Sequence, residues 1–269
     1  MKVACLQINS GGDMGANVTM IDKMVRDAAG QGAQLVALPE NAFLMEEPGQ
    51  KKRTLYTQAE HPAIASAMQL AEESRCWLLL GSVAVKTDDS GKTVNRSLLI
   101  NDKGQVAAQY DKIHLFDVEL PNGEIYKESA KMLPGQRAVV ADMPWAKLGM
   151  SICYDVRFPH LYRALAKAGA QILAVPSAFT AVTGEAHWHV LLRARAIENG
   201  CFVIAPAQTG THPGNRRTFG HALIIDPWGT IIADAGSDEG IIVADLDTAQ
   251  LDMTRAKIPS LTHDREFTV

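Results

Sequence analysis

Three segments of this sequence each end a strand-like run with a reactive side chain: Leu38-Pro39-Glu40, Tyr110-Asp111-Lys112 and Ile152-Cys153-Tyr154. A carboxylate, an ammonium and a thiol together suit nucleophilic attack on an acyl carbon. A free thiol, with a pKa of about 8.5, is only a few per cent thiolate at neutral pH, so it gains from a base and a nearby cation. Glu40 and Lys112 are of the right types. The run Leu148 to Ile152 reads as a strand and Phe158-Pro159 opens a helix, which puts Cys153 in the sharp connection between them. At such an elbow the following N–H, that of Tyr154, can face a developing oxyanion. Each residue alone also has an ordinary explanation: free Cys packs readily in cores, a Glu after Pro is usually a solvated loop carboxylate, and Lys is usually at the surface. Their joint placement at strand ends, where α/β folds gather sites, is what singles them out.

The elements that must position them alternate between strand-like and helix-like runs, the pattern of an α/β layered fold. Val3 to Asn9 alternates as a strand, and Asn17 to Gly30 has helical spacing and stops on Gly. Leu35 to Leu38 follows as a strand, Pro62 to Arg75 as a helix and Trp77 to Val85 as one strand. Arg96 to Asn101 and Gln105 to Tyr110 form a hairpin through an Asn-Asp-Lys-Gly turn. In the second half, strands are expected at Leu148 to Cys153, Ile172 to Pro176 and 201 to 207, and helices at Pro159 to Gly169 and 186 to 200. His221 to Asp226 and Ile241 to Asp245 read as a closing antiparallel pair around Pro227-Trp228-Gly229. No linker composition separates the halves, so 1–269 is read as one domain whose halves form two layers.

Composition narrows the function classes. Hydrophobic residues make up 47% and charged residues 21%, with a net charge of −4 and both signs interspersed. That is a folded chain without the basic clustering of a nucleic-acid or membrane-surface binder. The start lacks a signal-peptide h-region, and apolar runs fall well short of the roughly 18 residues of a membrane span, so a cytoplasmic location is expected. Four cysteines without a CxxC pair suit reduced thiols. No cofactor or metal is expected: His187 and His189, two apart on a helix, point about 200° apart and cannot share an ion.

The contexts LVALPEN at 35–41, YDKIHLFD at 110–117 and LGMSICYDVRFP at 148–159 closely resemble the nitrilase superfamily, the carbon-nitrogen hydrolases. The resemblance covers nearly the whole chain. It implies a four-layer αββα sandwich, a homodimer, and a triad in which Glu40 is the general base, Lys112 the oxyanion stabiliser and Cys153 the nucleophile. Many members carry a second glutamate between the Lys and the Cys, and Glu128 fits that slot better than Glu124. Dimer contacts are expected on helix 159–169 and on the segment from Ala249 onward.

PSAFT at 176–180, the stretch 183–203, AQTG at 207–210 and GHALIIDPWG at 220–229 resemble the branch of deaminated glutathione amidases and omega-amidases, with Ser-Ala-Phe-Thr closer to the former. Such substrates are carboxylate-bearing amides, which arginine forks match well. Arg157 is the first candidate contact, Arg216 and Arg217 are further ones, and Phe179 and Thr180 are pocket wall by resemblance. His160 and His189 stand where that branch usually has Glu, exchanging an anion for a titratable ring. Rival readings are a carbamoyl-amine or nitrile hydrolase with the same triad, and a non-catalytic binding protein on the same scaffold. A serine α/β-hydrolase reading of Gly149-Met150-Ser151 fails because Cys153 stands in place of the second Gly of G-x-S-x-G.

Overall fold

A computed structural model describes residues 1–46, 54–87 and 91–268. Its first strand, Lys2–Ile8, shows how alternation sets the layers. Val3 and Cys5 join the core between two sheets, whereas Ala4, Leu6 and Ile8 join the core beneath the first pair of helices. Successive strand side chains point to opposite faces, and here both faces are covered, so all five are fully buried.

The helices on that side are α1 (Met14–Gly30) and α2 (Pro62–Ser74). Asp13 caps α1 by accepting from the Ala16 N–H at 3.1 Å. Ile21, Val25 and Ala28 of α1, with Ile64, Ala67 and Leu70 of α2, form apolar stripes at helical spacing that close over the first sheet. The opposite outer layer is α3 (Pro159–Lys167) and α4 (Ala181–Asn199), which pack Leu161, Leu165, Trp188 and Leu192 against the second sheet. The order helix, sheet, sheet, helix is the αββα sandwich. A short helix, α5 (Thr248–Lys257), follows the last strand.

The first sheet runs Arg217–Phe219, Ala207–Thr211, Lys2–Ile8, Leu35–Ala37, Trp77–Leu79, Thr93–Ile100, Val83–Lys86. Gly240–Asp245 also pairs with Lys2–Ile8, and Val106–Asp111 with Thr93–Ile100. The second runs Ile231–Asp234, Leu223–Ile225, Phe202–Ala205, Ile172–Ala174, Lys147–Met150, Val139–Asp142.

Three expectations are corrected. The run 77–85 is two strands, because the chain turns at Gly81 (φ +54°), where an added Cβ would stand 2.0 Å from the Pro39 carbonyl oxygen. The closing pair has different partners. Leu223–Ile225 pairs with Ile231–Asp234 across a turn in which Asp226 Oδ1 accepts from the Trp228 and Thr230 N–H groups. Gly240–Asp245 instead crosses to the first sheet, antiparallel to Lys2–Ile8 with Lys2 opposite Asp245. The halves are therefore not simply two layers, since three strands of the second half complete the first sheet.

Candidate active site

Each of the three reactive residues sits just past a strand, on backbone held by specific contacts. Glu40 follows Leu35–Ala37 and Pro39; its carbonyl accepts from Gln208 Nε2 at 3.1 Å, and Asn41 after it turns with φ 55°. Lys112 follows Val106–Asp111; its N–H donates to the Asn95 carbonyl at 2.9 Å, and its carbonyl accepts from the Gly135 N–H at 2.8 Å. Gly135 lies so close that a Cβ would stand 2.0 Å from the Asp111 carbonyl oxygen. Cys153 is not the end of a strand as expected: Lys147–Met150 stops earlier, and Cys153 opens the 3-10 turn Cys153–Arg157. Its φ of 49° is left-handed, a region residues with a Cβ seldom occupy and one that clusters at functional sites.

The side chains converge. Lys112 Nζ donates to Glu40 Oε1 at 2.9 Å and to Glu128 Oε2 at 2.9 Å. Glu40 Oε2 accepts from the Ala178 N–H at 3.0 Å, and the Cys153 thiol is close enough to the same carboxylate for each to shift the other's titration. Asn95 Nδ2 bridges Glu40 Oε1 at 2.9 Å and Glu128 Oε1 at 3.2 Å. Glu40, Lys112 and Cys153 are 3%, 2% and 7% exposed, so these charges interact with little screening by water. All four ionisable groups line one cavity of about 470 Å³.

Protons are distributed accordingly. Burial pushes the Glu40 carboxyl up, but the Lys112 charge, with hydrogen bonds from Lys112 and Cys153 and the more distant Arg216, holds it below its ordinary value. Burial lowers Lys112, yet the Glu40 and Glu128 carboxylates outweigh that and raise it, keeping the ammonium. Burial and the Glu40 charge together raise the Cys153 thiol against the pull of Lys112. The resting site is thus a thiol beside an ionised carboxylate and a fixed cation.

Glu124 lies apart, bonded to Asn122 and Tyr126. Among the expected substrate contacts, Tyr154, Phe179, Thr180 and Arg216 line the cavity. Arg157 and Arg217 do not line it. The Arg157 guanidinium is engaged 3.3 Å from His187 Nδ1 and over the Tyr154 and Phe179 rings, and Arg217 is exposed on its strand. His187 and His189 face different partners, His189 lying toward Asp234. Ser151 of the rejected serine motif is buried and bonds Tyr162 and the Ala174 carbonyl.

Two participants escaped the sequence reading. Asn95 is an ordinary polar position within Thr93–Ile100, and nothing in its spacing marks it as the bridge between two carboxylates. Asp155, fully buried, accepts from the Ile152 N–H at 2.9 Å, Tyr110 Oη at 2.7 Å and the His114 N–H at 3.1 Å, with His114 Nδ1 at 2.7 Å. It ties the Cys153 turn to the segment carrying Lys112. The one signal was its place two residues after the cysteine.

The carbon-nitrogen hydrolase family model matches residues 2–256. The chain belongs to that family. It is a hydrolase of carbon-nitrogen bonds, with the sheets and flanking helices of the nitrilase superfamily. It is 45% identical to a deaminated glutathione amidase of Synechocystis sp., covering 97% of this chain and 96% of that one. It is 40% identical to the deaminated glutathione amidase of Homo sapiens, covering 98% and 82%. Among solved structures of carbon-nitrogen hydrolases, a Saccharomyces cerevisiae member of branch 10 of the nitrilase superfamily superposes with a TM-score of 0.89 at 31% identity, over 99% of this chain and 97% of that one. An amidase from Nesterenkonia sp. AN1, with acrylamide added at its active-site cysteine, superposes with a TM-score of 0.81 at 27% identity, over 96% and 98%. Among the described residues, no helix is long and apolar enough to cross a membrane.

Proposed function

We propose that the protein hydrolyses the amide of deaminated glutathione through a Glu40–Lys112–Cys153 triad. Glu40 takes the thiol proton as Sγ attacks the amide carbonyl, and the oxyanion is held by Lys112 Nζ and the Tyr154 N–H. Losing one such donor typically costs about 3 kcal/mol of transition-state stabilisation. The C–N bond breaks as Glu40 passes its proton to the departing amine, leaving a thioester. Glu40 then deprotonates a water that attacks the thioester, and the acid leaves as the thiol reforms. Glu128 holds the Lys112 ammonium in place. Glu40, kept ionised by Lys112 in the cavity that Cys153 also lines, is in the protonation state that a base needs, which supports this assignment.

The observation that carries the substrate is Arg216. It lines the cavity over the Tyr126 ring, donates to the Ala178 carbonyl at 2.9 Å, and keeps a buried Nε with no hydrogen-bond partner among the described residues. A buried donor on a cation suits a substrate carboxylate. Lys127 and Lys131 also line the cavity and add positive charge. The names of the relatives supply the remaining choice, a substrate with carboxylates and an amide.

The test is product analysis with deaminated glutathione and alpha-ketoglutaramate. Wild type should release the amine from the first faster than ammonia from the second. Cys153→Ala should abolish turnover with the melting temperature kept, and Arg216→Leu should raise KM by roughly tenfold to a hundredfold, the weight of a charged hydrogen bond. Turnover surviving in Cys153→Ala would refute the nucleophile, and faster turnover of alpha-ketoglutaramate would make the protein an omega-amidase. The protein acts as a homodimer, a reading supported by Val190 and Ile197, exposed seven apart on α4, and by exposed Met253 and Ile258 at α5. A reducing, cytoplasmic setting is supported by its four free, buried cysteines.

A further inference from the structure

Away from the cavity, three metal-ligating side chains from separate elements face one another. His189 comes from α4, His221 from just before Leu223–Ile225, and Asp234 ends Ile231–Asp234. His189 Nε2 lies 3.3 Å from Asp234 Oδ2, and His221 Nδ1 lies 3.0 and 3.1 Å from Asp234 Oδ1 and Oδ2. One donor atom from each residue can be chosen so that no pair is more than 4.8 Å apart. From this we infer that His189, His221 and Asp234 form a binding site for a divalent transition-metal ion, of which Zn²⁺ is the best match.

The donor set selects the ion class. Two imidazoles and one carboxylate are borderline ligands that suit Zn²⁺, Co²⁺ or Ni²⁺, whereas Mg²⁺ and Ca²⁺ prefer all-oxygen shells. Ligands about 2.0–2.1 Å from a tetrahedral ion stand roughly 3.3–3.5 Å from each other, so the His189–Asp234 spacing of 3.3 Å already matches and the His221 spacings of 3.0 and 3.1 Å need only a slight widening. The wider pair, His189 and His221, would close by a small rotation of the His189 ring, whose side chain is 31% exposed. Each side chain is about a third exposed, which leaves a fourth position open to water.

The surroundings fix the ligands as an outer shell does. Gly236 N–H donates to Asp234 Oδ1 at 2.8 Å and so orients the carboxylate. The backbone of His221, at φ 53°, is pinned at both ends: its N–H donates to the Gly236 carbonyl at 2.7 Å, and its carbonyl accepts from the indole of buried Trp188 at 2.7 Å. Phe219 stacks on the His221 ring at 4.6 Å and meets His189 edge-on at 6.0 Å. Phe219 N–H also donates to the Phe179 carbonyl at 2.9 Å, and Phe179 lines the cavity. A bound ion would therefore fasten α4 to the second sheet directly behind one cavity wall.

His187 and His189 stand two apart on one helix and cannot share an ion. The partners of His189 lie 32 and 45 residues further on, where no local pattern announces them.

The test uses the full chain and ZnCl₂ alone, after removal of adventitious metal with EDTA, and needs no turnover. Wild type should bind one Zn²⁺ per chain by calorimetry, with a melting temperature that rises with zinc and falls back with EDTA. His189→Gln and Asp234→Asn should weaken binding at least about tenfold. Their melting temperatures in EDTA should match wild type, which separates lost ligation from lost fold. Co²⁺ should give the visible bands of nitrogen and oxygen ligation without a thiolate charge-transfer band. Equal zinc response in wild type and both variants, no response at all, or a thiolate band pointing to Cys153 would each overturn the site and leave a hydrogen-bonded His–Asp–His cluster.

Discussion

Glu40 carries the most demanding balance in the molecule: a buried carboxylate whose ionised form survives because Lys112 stands 2.9 Å away. Its folded pKa lies below the ordinary value of 4.5, so it contributes stability that is complete above pH 4.5 and is lost as pH falls through the lower folded value. Glu40→Gln has no such group. The melting temperature of wild type should fall more steeply below pH 4.5 than that of Glu40→Gln, and parallel curves from thermal melts across the acid range would contradict the balance described. Glu40, Lys112 and Cys153 were readable because each follows a strand-like run, and strand ends are where α/β folds gather their sites. Arg157, expected as a substrate contact, does not line the cavity. Nearness to Cys153 along the chain says nothing of direction, and the rings of Tyr154 and Phe179 with His187 hold it outside the cavity.

Among the elements, the turn Cys153–Arg157 depends on Asp155 more than on its own backbone. The Asp155 carboxylate gathers the Ile152 N–H, Tyr110 Oη and both polar groups of His114, so it sets where Cys153 and Lys112 stand relative to each other. Asp155→Asn keeps the shape but offers one acceptor oxygen where two are used. It should lower kcat on the order of tenfold to a hundredfold while KM changes little, because a displaced thiolate affects the attack more than binding. A proportional rise in KM in steady-state kinetics would point to a collapsed cavity instead. Such long-range pairs were invisible in the sequence, since a buried Asp and a solvated turn Asp are written alike. Strands with strong alternation or continuous apolar runs were legible for the converse reason. Gly240–Asp245 was recognised as a strand, but its partner was misassigned because pairing depends on a crossing that no turn signal encodes.

Taken together, two sheets and two helix pairs bury one cavity at the strand ends, and the large apolar residues left outside include Ile125, Trp228 and Phe267 as well as a face with Val190 and Ile197 on α4. If that face joins two copies, Val190→Lys should convert a dimer to a monomer in size-exclusion chromatography with light scattering, because a charge at a residue 68% exposed in the single chain disturbs only the association. An unchanged mass would place the interface elsewhere. The layered architecture was foreseeable from alternation, whereas the return of three late strands to the first sheet was not. One feature of that packing reaches into the chemistry. Gly81 rests on the Pro39 carbonyl and Gly135 on that of Asp111, so main chain abuts main chain beside both Glu40 and Lys112. Gly81→Ala should therefore reduce kcat strongly, as single-turnover rates would reveal, even though it adds one methyl group outside the cavity. The gap between carboxylate and ammonium is gauged by peptide spacers, and enlarging or trimming apolar side chains elsewhere can retune heat resistance while leaving that gauge untouched.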